Sequence, residues 1–269
     1  MRSIRREIVK LLSLKRTYLG WAVLTLVPLI MVLALDLSST KPPHGDGPPF
    51  FSSIVNNGIF VPVAAIAALS AFLLPLAAAM SGGYTIAGEA EMGTMKTWLV
   101  RPVSRGSVLL SKWFVALVYV FVAMAIVGVV GGLAGWAVFG AHPLVTLSGD
   151  TVSIGQGIWL IALTYLLIFL EMMVIVSFAV LISALTDSSL TAAVGSLVIM
   201  LIMAALLAFS YFSFLKPYLF VSRTQDWMNL FRTPIQWTPI RDAVITYVVY
   251  TVMLVSAAWY VFRRKDILS

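Results

Sequence analysis

The sequence predicts an all-α integral membrane protein with six transmembrane helices, an N-terminal interfacial helix and both termini in the cytoplasm. Of its 269 residues, 61% are hydrophobic and 11% are charged, whereas soluble domains are about half apolar and a quarter charged. Long stretches of the chain carry no charged side chain, and a helix of about 20 apolar residues crosses the roughly 30 Å hydrocarbon core of a bilayer. This composition excludes a soluble globular protein.

The membrane helices are predicted where the charges are missing. Before the first of them, residues 2–16 place Ile4, Ile8 and Leu11 at helical spacing, with basic residues on another face. This pattern is typical of an amphipathic helix lying on the membrane surface. The six predicted spans are residues 17–37, 59–87, 105–139, 158–185, 188–215 and 242–262, within a single transmembrane domain over residues 1–269.

Lys and Arg predict the orientation, because they stay on the cytoplasmic side of short loops. Thirteen of the eighteen precede the first predicted span, follow the second or follow the sixth. They are Arg2, Arg5, Arg6, Lys10, Lys15, Arg16, Lys96, Arg101, Arg105, Lys112, Arg263, Arg264 and Lys265. A multi-pass protein of the cell (cytoplasmic) membrane is therefore expected. No nucleic-acid partner is expected, because the basic residues flank membrane helices.

The predicted cytoplasmic loop at residues 88–104 begins at the exit of the second span. Glu89 and Glu91 stand at this exit, Gly93 is expected to end the helix, and Ser104 is placed to cap the next one. The loop therefore joins two helices and carries its own short helical stretch.

An exposed tryptophan and leucine lie in the middle of the same loop. Trp98 and Leu99 are flanked by charged residues, which is typical of a surface that docks a partner protein. An interfacial turn with Trp98 at headgroup depth explains the residues equally well. The residues alone leave both interpretations open.

Catalytic chemistry is not expected in this chain. Cysteine is absent, and the two histidines, His44 and His142, lie in predicted outer loops, which excludes a metalloprotease or serine protease site within the spans. Residues 88–94 contain two glycines at the spacing of a phosphate-binding loop, but Thr94 and Met95 stand where Lys and Ser or Thr belong. We therefore expect no nucleotide, cofactor or metal on this chain and no enzyme activity of its own.

Residues 88 to 112 read GEAEMGTMKTWLVRPVSRGSVLLSK. The Glu-rich helix end, the Gly-Thr pair, the short apolar stretch and the Arg-Pro-Val-Ser-Arg run resemble the permease subunits of ABC-2 type transporters. The resemblance is strongest to the branch with bacitracin-resistance and NosY-like permeases. It covers the whole plan of interfacial helix, six spans, cytoplasmic loop and outer segment before the last span.

The resemblance implies that the loop at residues 88–104 is a coupling helix that docks into a groove on an ATP-binding subunit. The residues implied in this contact are Glu89, Glu91, Gly93, Thr94, Arg101, Pro102 and Arg105, with Trp98 or Leu99 supplying the buried part. The resemblance also implies two copies of an ATP-binding cassette subunit, which hold ATP and Mg, and a second copy of this chain. Such a homodimer would act in ATP-driven transport, as an exporter.

Glu171 lies near the middle of the fourth predicted span. An ionisable group at this depth is costly and marks a translocation path by default. A protonated carboxyl bonded to a neighbouring helix is the alternative. Two other functions follow from these observations: a stand-alone secondary transporter that uses Glu171 to carry a coupling proton, and a membrane scaffold subunit that transports nothing.

Three further features bear on the helices. The outer segment at residues 216–241 is rich in aromatic residues and contains two Thr-Pro pairs, at Thr233 and Thr238, which predict helix starts in an amphipathic or re-entrant segment. Pro62 and Pro75 are expected to kink the second span. Glycines at GxxxG spacing in the third span predict close helix packing, within the chain rather than between copies.

Overall fold

The computed structural model describes residues 2–37, 57–93 and 104–265 of the chain. Within these ranges nearly every residue is helical. In chain order the α-helices are α1 (Arg2–Ser13), α2 (Lys15–Leu37), α3 (Val61–Ser70), α4 (Leu73–Gly83), α5 (Ala87–Glu91), α6 (Arg105–Phe139), α7 (Ile154–Leu185), α8 (Ser189–Ala208) and α9 (Trp237–Arg264). Short 3₁₀ helices cover Gly58–Phe60, Ser210–Leu215, Phe220–Arg223 and Asp226–Phe231.

The fold is that of a multi-pass membrane protein. Five helices of the described part, α2, α6, α7, α8 and α9, are long and apolar enough to cross a bilayer, and there are six spans if the bent pair of α3 and α4 counts as one. The 35 residues of α6 form a helix about 50 Å long. It therefore extends beyond the hydrocarbon core.

The second predicted span, residues 59–87, is bent as predicted, but it divides into separate helices instead of kinking within one. Helices α3 and α4 meet at an angle of 60°, and the break lies at Ala71 and Phe72. Pro75 explains its position, because a proline has no N–H to donate to the carbonyl four residues earlier and its ring clashes with that carbonyl. That carbonyl belongs to Ala71. Pro62 lies in the first turn of α3, where proline is tolerated.

Helices α6 and α7 form the centre of the molecule. Helix α7 packs against α4, α8 and α9, whereas α6 packs against α1, α2 and α3. The glycines of α6 make close packing possible: a Cβ on Gly135 would lie 2.4 Å from the carbonyl oxygen of Gly58, and one on Gly131 would lie 3.3 Å from Cβ of Pro28. The GxxxG stretch therefore packs within the chain, as predicted.

Two ends of the bundle differ in chemistry. At one end, which we call the basic end, α1, α5, the first turns of α6, residues 186–188 and the last turn of α9 meet. At the other end, a hairpin connects α6 to α7, with β1 (Leu144–Val145) antiparallel to β2 (Thr151–Val152). The hairpin also holds the outer segment, because the Leu147 N–H donates to the Phe231 carbonyl oxygen over 2.7 Å.

The last two spans also differ from their predicted bounds. Helix α8 ends at Ala208 instead of residue 215, because residues 209–214 are all Phe, Tyr or Ser, which favour helix less than aliphatic residues do. Pro217 then disfavours a return to helix. Helix α9 begins at Trp237, so the Thr-Pro pair at Thr238 lies at a helix start as predicted. The pair at Thr233 does not, and the Thr233 N–H donates instead to Oγ of Ser148.

Candidate functional site

A cluster of four charged side chains, three of them buried, lies at the basic end; we call it the buried cluster. Glu89, on the short helix α5, accepts through Oε1 from Nζ of Lys10 on α1 over 2.5 Å. The same Oε1 lies 2.6 Å from Nζ of Lys112 on α6. Nζ of Lys112 lies 3.4 Å from Oε1 of Glu7, again on α1. Three helices are thereby joined by two anions and two cations.

The cluster is stabilised by its charge balance. The side chains of Glu89 and Lys112 are 2% and 5% exposed, and a charge at such a position is strongly unfavourable unless it is paired. Burial alone would raise the pKa of Glu89, but the charge of Lys112 and the hydrogen bonds from Lys10 and Lys112 outweigh it and hold that pKa below its ordinary value. Glu89 is therefore an anion at neutral pH.

A tight turn at residues 84–86 positions Glu89. Oγ of Ser183, on α7, accepts the N–H groups of Ile86 over 3.1 Å and Ala87 over 2.8 Å, and it donates to the carbonyl oxygen of Gly83 over 2.7 Å. One buried hydroxyl thus satisfies three backbone groups where α4 ends and α5 begins. Gly82 allows this approach, because its Cβ would lie 2.7 Å from the carbonyl oxygen of Val176.

Glu91 fixes the start of the segment at residues 94–103. Its Oε2 accepts from Oγ of Ser189 over 2.7 Å and from the Ser189 N–H over 3.3 Å. Ser189 is the first residue of α8, where an anion is favoured by the unpaired N–H groups and the helix dipole. These hydrogen bonds hold the pKa of Glu91 below its usual value. Helix α5 then ends, and Gly93 has a positive φ of 67°, which favours glycine.

Arg105 fixes the other end of the same segment. Its guanidinium donates to the carbonyl oxygens of Lys265 over 2.8 Å and Arg263 over 3.2 Å, at the C-terminal end of α9, where a cation is favoured. Lys265 in turn lies 2.7 Å from Oδ1 of Asp187, directly before α8. Ser188 is the N-cap of α8 and accepts the Thr191 N–H, while Asp187 binds Lys265.

The structure therefore places four of the implied coupling residues and brings them to the basic end: Glu89, Glu91, Gly93 and Arg105. Glu91 and Gly93 are exposed, while Glu89 is buried. Glu89 pairs with Lys10 and Lys112 of its own chain, and its implied contact with a partner stays a prediction. The remaining residues, Thr94, Trp98, Leu99, Arg101 and Pro102, lie outside the described residues.

The sequence alone does not indicate that Glu7, Lys10 or Ser183 belongs to this site. Lys112 served mainly to predict the orientation of the chain in the membrane. One signal was present for Glu7: it lies three residues from Ile4 and four from Leu11, so it shares their face of α1. Its buried position on that face requires a partner cation. Neither Lys10 nor Ser183 carries a comparable local signal, because their contacts join residues about eighty and one hundred positions apart.

Glu171 lies in a second site, between α7, α9 and the outer segment. Its side chain is 3% exposed and borders a small cavity that is too narrow to hold a water molecule. Arg223 and Trp227 of the outer segment and Tyr247 of α9 line the same cavity. Nε of Arg223 is buried without a hydrogen-bond partner among the described residues, while one of its terminal nitrogens lies 3.4 Å from Oδ2 of Asp226. The outer segment therefore covers Glu171 with a cationic side chain.

Most of the chain matches a model of a protein family. A family model described as a protein of unknown function, DUF2705, matches residues 50–268. This range covers more than half of the chain and includes every span from α3 onward. The curated proteins contain no match to the chain. Among the described residues, no group of three or more His, Asp or Glu side chains is placed to hold a metal ion.

Proposed function

We propose that this chain, which belongs to the DUF2705 family, is the membrane-spanning subunit of an ATP-driven ABC transporter. ATP would be hydrolysed by a separate subunit, present in two copies, beneath a pair of these chains. The basic end would face the cytoplasm of the cell membrane, with α1 lying on the inner leaflet, and the transporter would act as an exporter. The proposal rests on the resemblance of residues 88–112 together with the contacts at the basic end.

The observation that carries the proposal is the anchoring of the segment at residues 94–103. Glu91 binds the first residue of α8 just before this segment, and Arg105 binds the last turn of α9 just after it. Glu89 adds α1 and α6 through Lys10 and Lys112. The residues that flank this segment are thus joined to the ends of several spans. Such connections are required of an element that transmits a conformational change from a partner subunit to the spans.

The bent second span offers a joint at which the helices can move relative to each other. The 60° bend between α3 and α4 is a joint within the second span. Helix α4 is held to α7 through Ser183 and approaches α8 closely at Gly83, whose Cβ would lie 2.9 Å from the backbone N of Ala193. ATP-driven closure of the partner would thus rock α4, α7 and α8 together, between inward and outward states. Glu89 acts in this account as an internal anchor of the loop, and Trp98 and Leu99 make the partner contact.

The experiment is a pull-down of the tagged chain from native membranes, with mass spectrometry of what accompanies it. We expect an ATP-binding cassette subunit to be recovered with the wild type and with Trp98→Phe, and to be lost with Trp98→Asp. Glu91→Arg is expected to retain the partner less well than Glu91→Gln, because it places a cation at the N-terminus of α8. Recovery of no ATPase subunit, together with unchanged function of Trp98→Asp and Glu91→Arg, rejects the proposal.

A second candidate function is proton-coupled secondary transport through Glu171. The covered position of Glu171 beside Arg223 supports it, since buried carboxyl groups that face a small cavity are suited to proton transfer. Transport by reconstituted protein in the absence of any ATPase, lost when the proton gradient is collapsed and lost in Glu171→Gln but not in Glu171→Asp, would favour this function. Transport that requires ATP and survives collapse of the gradient would exclude it.

A scaffold that transports nothing is the third candidate. It shares the partner-binding segment with the first proposal, so a pull-down does not separate the two. Reconstitution with the ATPase subunit does: a transporter is expected to show ATP hydrolysis that rises with its substrate, and a scaffold is expected to show none.

A further inference from the structure

A groove opens at the basic end between α1, α6 and α9. It encloses about 620 Å³ and is open to the surroundings on one side. None of the four charged residues of the buried cluster lines it, so it is separate from the site described above. Its lining residues are Ile4, Ser104, Gly106, Ser107, Leu110, Ser111, Trp113, Phe114 and Trp259.

The lining is amphiphilic in a way that matches its place in the membrane. Phe114 and Trp259 contribute exposed aromatic surface, as aromatic residues do where a span reaches the headgroup region. Ser104 and Ser107 bring hydroxyl groups near the first turn of α6. A ligand here meets an apolar wall on one side and hydrogen-bonding groups on the other. The groove therefore fits a molecule with an apolar tail and a polar head.

Trp259 and Gly106 set the shape of the groove. A Cβ on Gly106 would lie 2.3 Å from Nε1 of Trp259, so the indole ring rests directly on the backbone of α6. A side chain at residue 106 would push the ring away and change the width of the groove. The close approach of α9 to α6 at this point thus depends on a glycine.

The charge around the groove selects the head group. The guanidinium carbon of Arg263 lies 4.6 Å from the centre of the Trp259 ring, so a cation sits directly over one of the lining residues. Arg5 and Arg6, on the helix that supplies Ile4, are exposed. Arginine binds phosphate groups well, because its planar group presents several donors. An anionic head group is therefore favoured over a zwitterionic one.

We propose that this groove binds an anionic phospholipid, with an acyl chain along Phe114 and Trp259 and the phosphate at Arg263. The inference does not depend on an ATPase partner. It assigns the end of α9 and the start of α6, beside the loop at residues 88–104, to contact with a specific lipid of the leaflet.

The test uses the full-length chain, purified in detergent, and native mass spectrometry during titration with lipid. The two lipids are phosphatidylglycerol and phosphatidylcholine with identical acyl chains. Arg263→Gln removes the cation that lies over Trp259, and Arg264→Gln is its matched control. Arg264 is the next residue, and its guanidinium lies 4.3 Å from the Tyr260 ring centre, outside the groove. Ser107→Phe fills the groove without altering charge.

We expect phosphatidylglycerol to bind more tightly than phosphatidylcholine. Arg263→Gln is expected to weaken phosphatidylglycerol binding about fivefold, the contribution of one basic residue near an anionic surface. Arg264→Gln should leave it nearly unchanged, and Ser107→Phe should weaken the binding of both lipids. Equal effects of the two arginine variants, equal affinity for the two lipids, or full binding by a folded Ser107→Phe variant would each overturn the proposal. The groove would then belong to a protein partner or to bulk lipid.

Discussion

Glu89 precedes the segment at residues 94–103 in the chain, and Lys112 follows it. Oε1 of Glu89 lies 2.6 Å from Nζ of Lys112. Both are almost completely buried. This ion pair closes the loop at its base, joining the end of the second span to the beginning of the third. Lys10 and Glu7 extend the contact to α1. The residues that flank the loop are therefore held together by these ion pairs.

Loss of the Glu89 charge is expected to destabilise the protein. Glu89→Gln keeps the size of the side chain but removes the carboxylate that lies 2.6 Å from Nζ of Lys112, whereas that of Glu7 lies 3.4 Å away. Breaking a buried pair on one side costs about 3 kcal/mol or more. The measurement is the loss of folded protein on heating in detergent, compared with wild type.

Glu91→Gln is the matched control, since Glu91 is two residues away and exposed. Its neutral amide still accepts from Ser189, so only a small decrease in stability is expected. Equal stability of Glu89→Gln and wild type would contradict the assignment of Glu89 as an internal anchor.

The same cluster predicts a dependence of stability on acid pH. Because the pKa of Glu89 is lower in the folded protein than its ordinary value of 4.5, its contribution is fully present above that value and is lost as the pH falls through the folded value. We expect the difference in stability between wild type and Glu89→Gln to be constant above pH 5 and to shrink below about 4.5. A difference that stays the same down to the lowest tolerated pH would show that Glu89 is not the titrating group.

The approach of α4 to α7 gives a steric prediction. A Cβ on Gly82 would lie 2.8 Å from Cβ of Ala179 and 2.7 Å from the carbonyl oxygen of Val176, so backbone has to move. We expect Gly82→Ala to cost about 1–3 kcal/mol. Gly155, in the first turn of α7, has open space around its Cβ, so Gly155→Ala is expected to be neutral or slightly stabilising. Thermal unfolding of the two variants under the same conditions compares them, and equal costs would contradict the packing.

Ser183 supplies a hydrogen-bonding prediction. Ser183→Ala leaves two buried N–H groups, of Ile86 and Ala87, and the carbonyl of Gly83 without their present partner. Unsatisfied buried groups cost about 1–3 kcal/mol each, so a large loss of stability is expected. Ser70→Ala removes one hydrogen bond to the Ala67 carbonyl oxygen within the same turn of α3 and serves as the control. Hydrogen exchange at residues 84–91 should rise in Ser183→Ala alone.

The positions of the spans could be predicted because each depends on a local property, the absence of charge. The break at Ala71 and Phe72 was missed for a different reason. A proline inside a membrane helix is compatible with a kink or with a full break, and only the packing of α3 on α6 and of α4 on α7 decides between them. The aromatic outer segment was expected to be amphipathic or re-entrant. Its residues form short 3₁₀ helices, with Trp227 and Phe231 buried, and its position relative to the bilayer stays a prediction.

The site was predictable in part. Glu91 and Gly93 lie where a helix exit was expected, and Ser104 caps α6 as its sequence context indicated. The partners of Glu89 were not predictable, because Lys10 is 79 residues away in the chain and joins Glu89 only once α1 has folded against α6. A buried ion pair is a tertiary contact, and sequence spacing carries no information about it.

The central claim is that residues 94–103 contact an ATP-binding subunit, and the absence of cysteine in the chain allows a direct measurement. Leu99→Cys, labelled with a photoactivatable cross-linker in native membranes, is expected to form a covalent product with an ATP-binding cassette protein, identified by mass spectrometry. Asp150→Cys, exposed at the hairpin end, is expected to form none. Cross-linking of Leu99→Cys to lipid alone, in membranes where the chain is intact and functional, would contradict the claim.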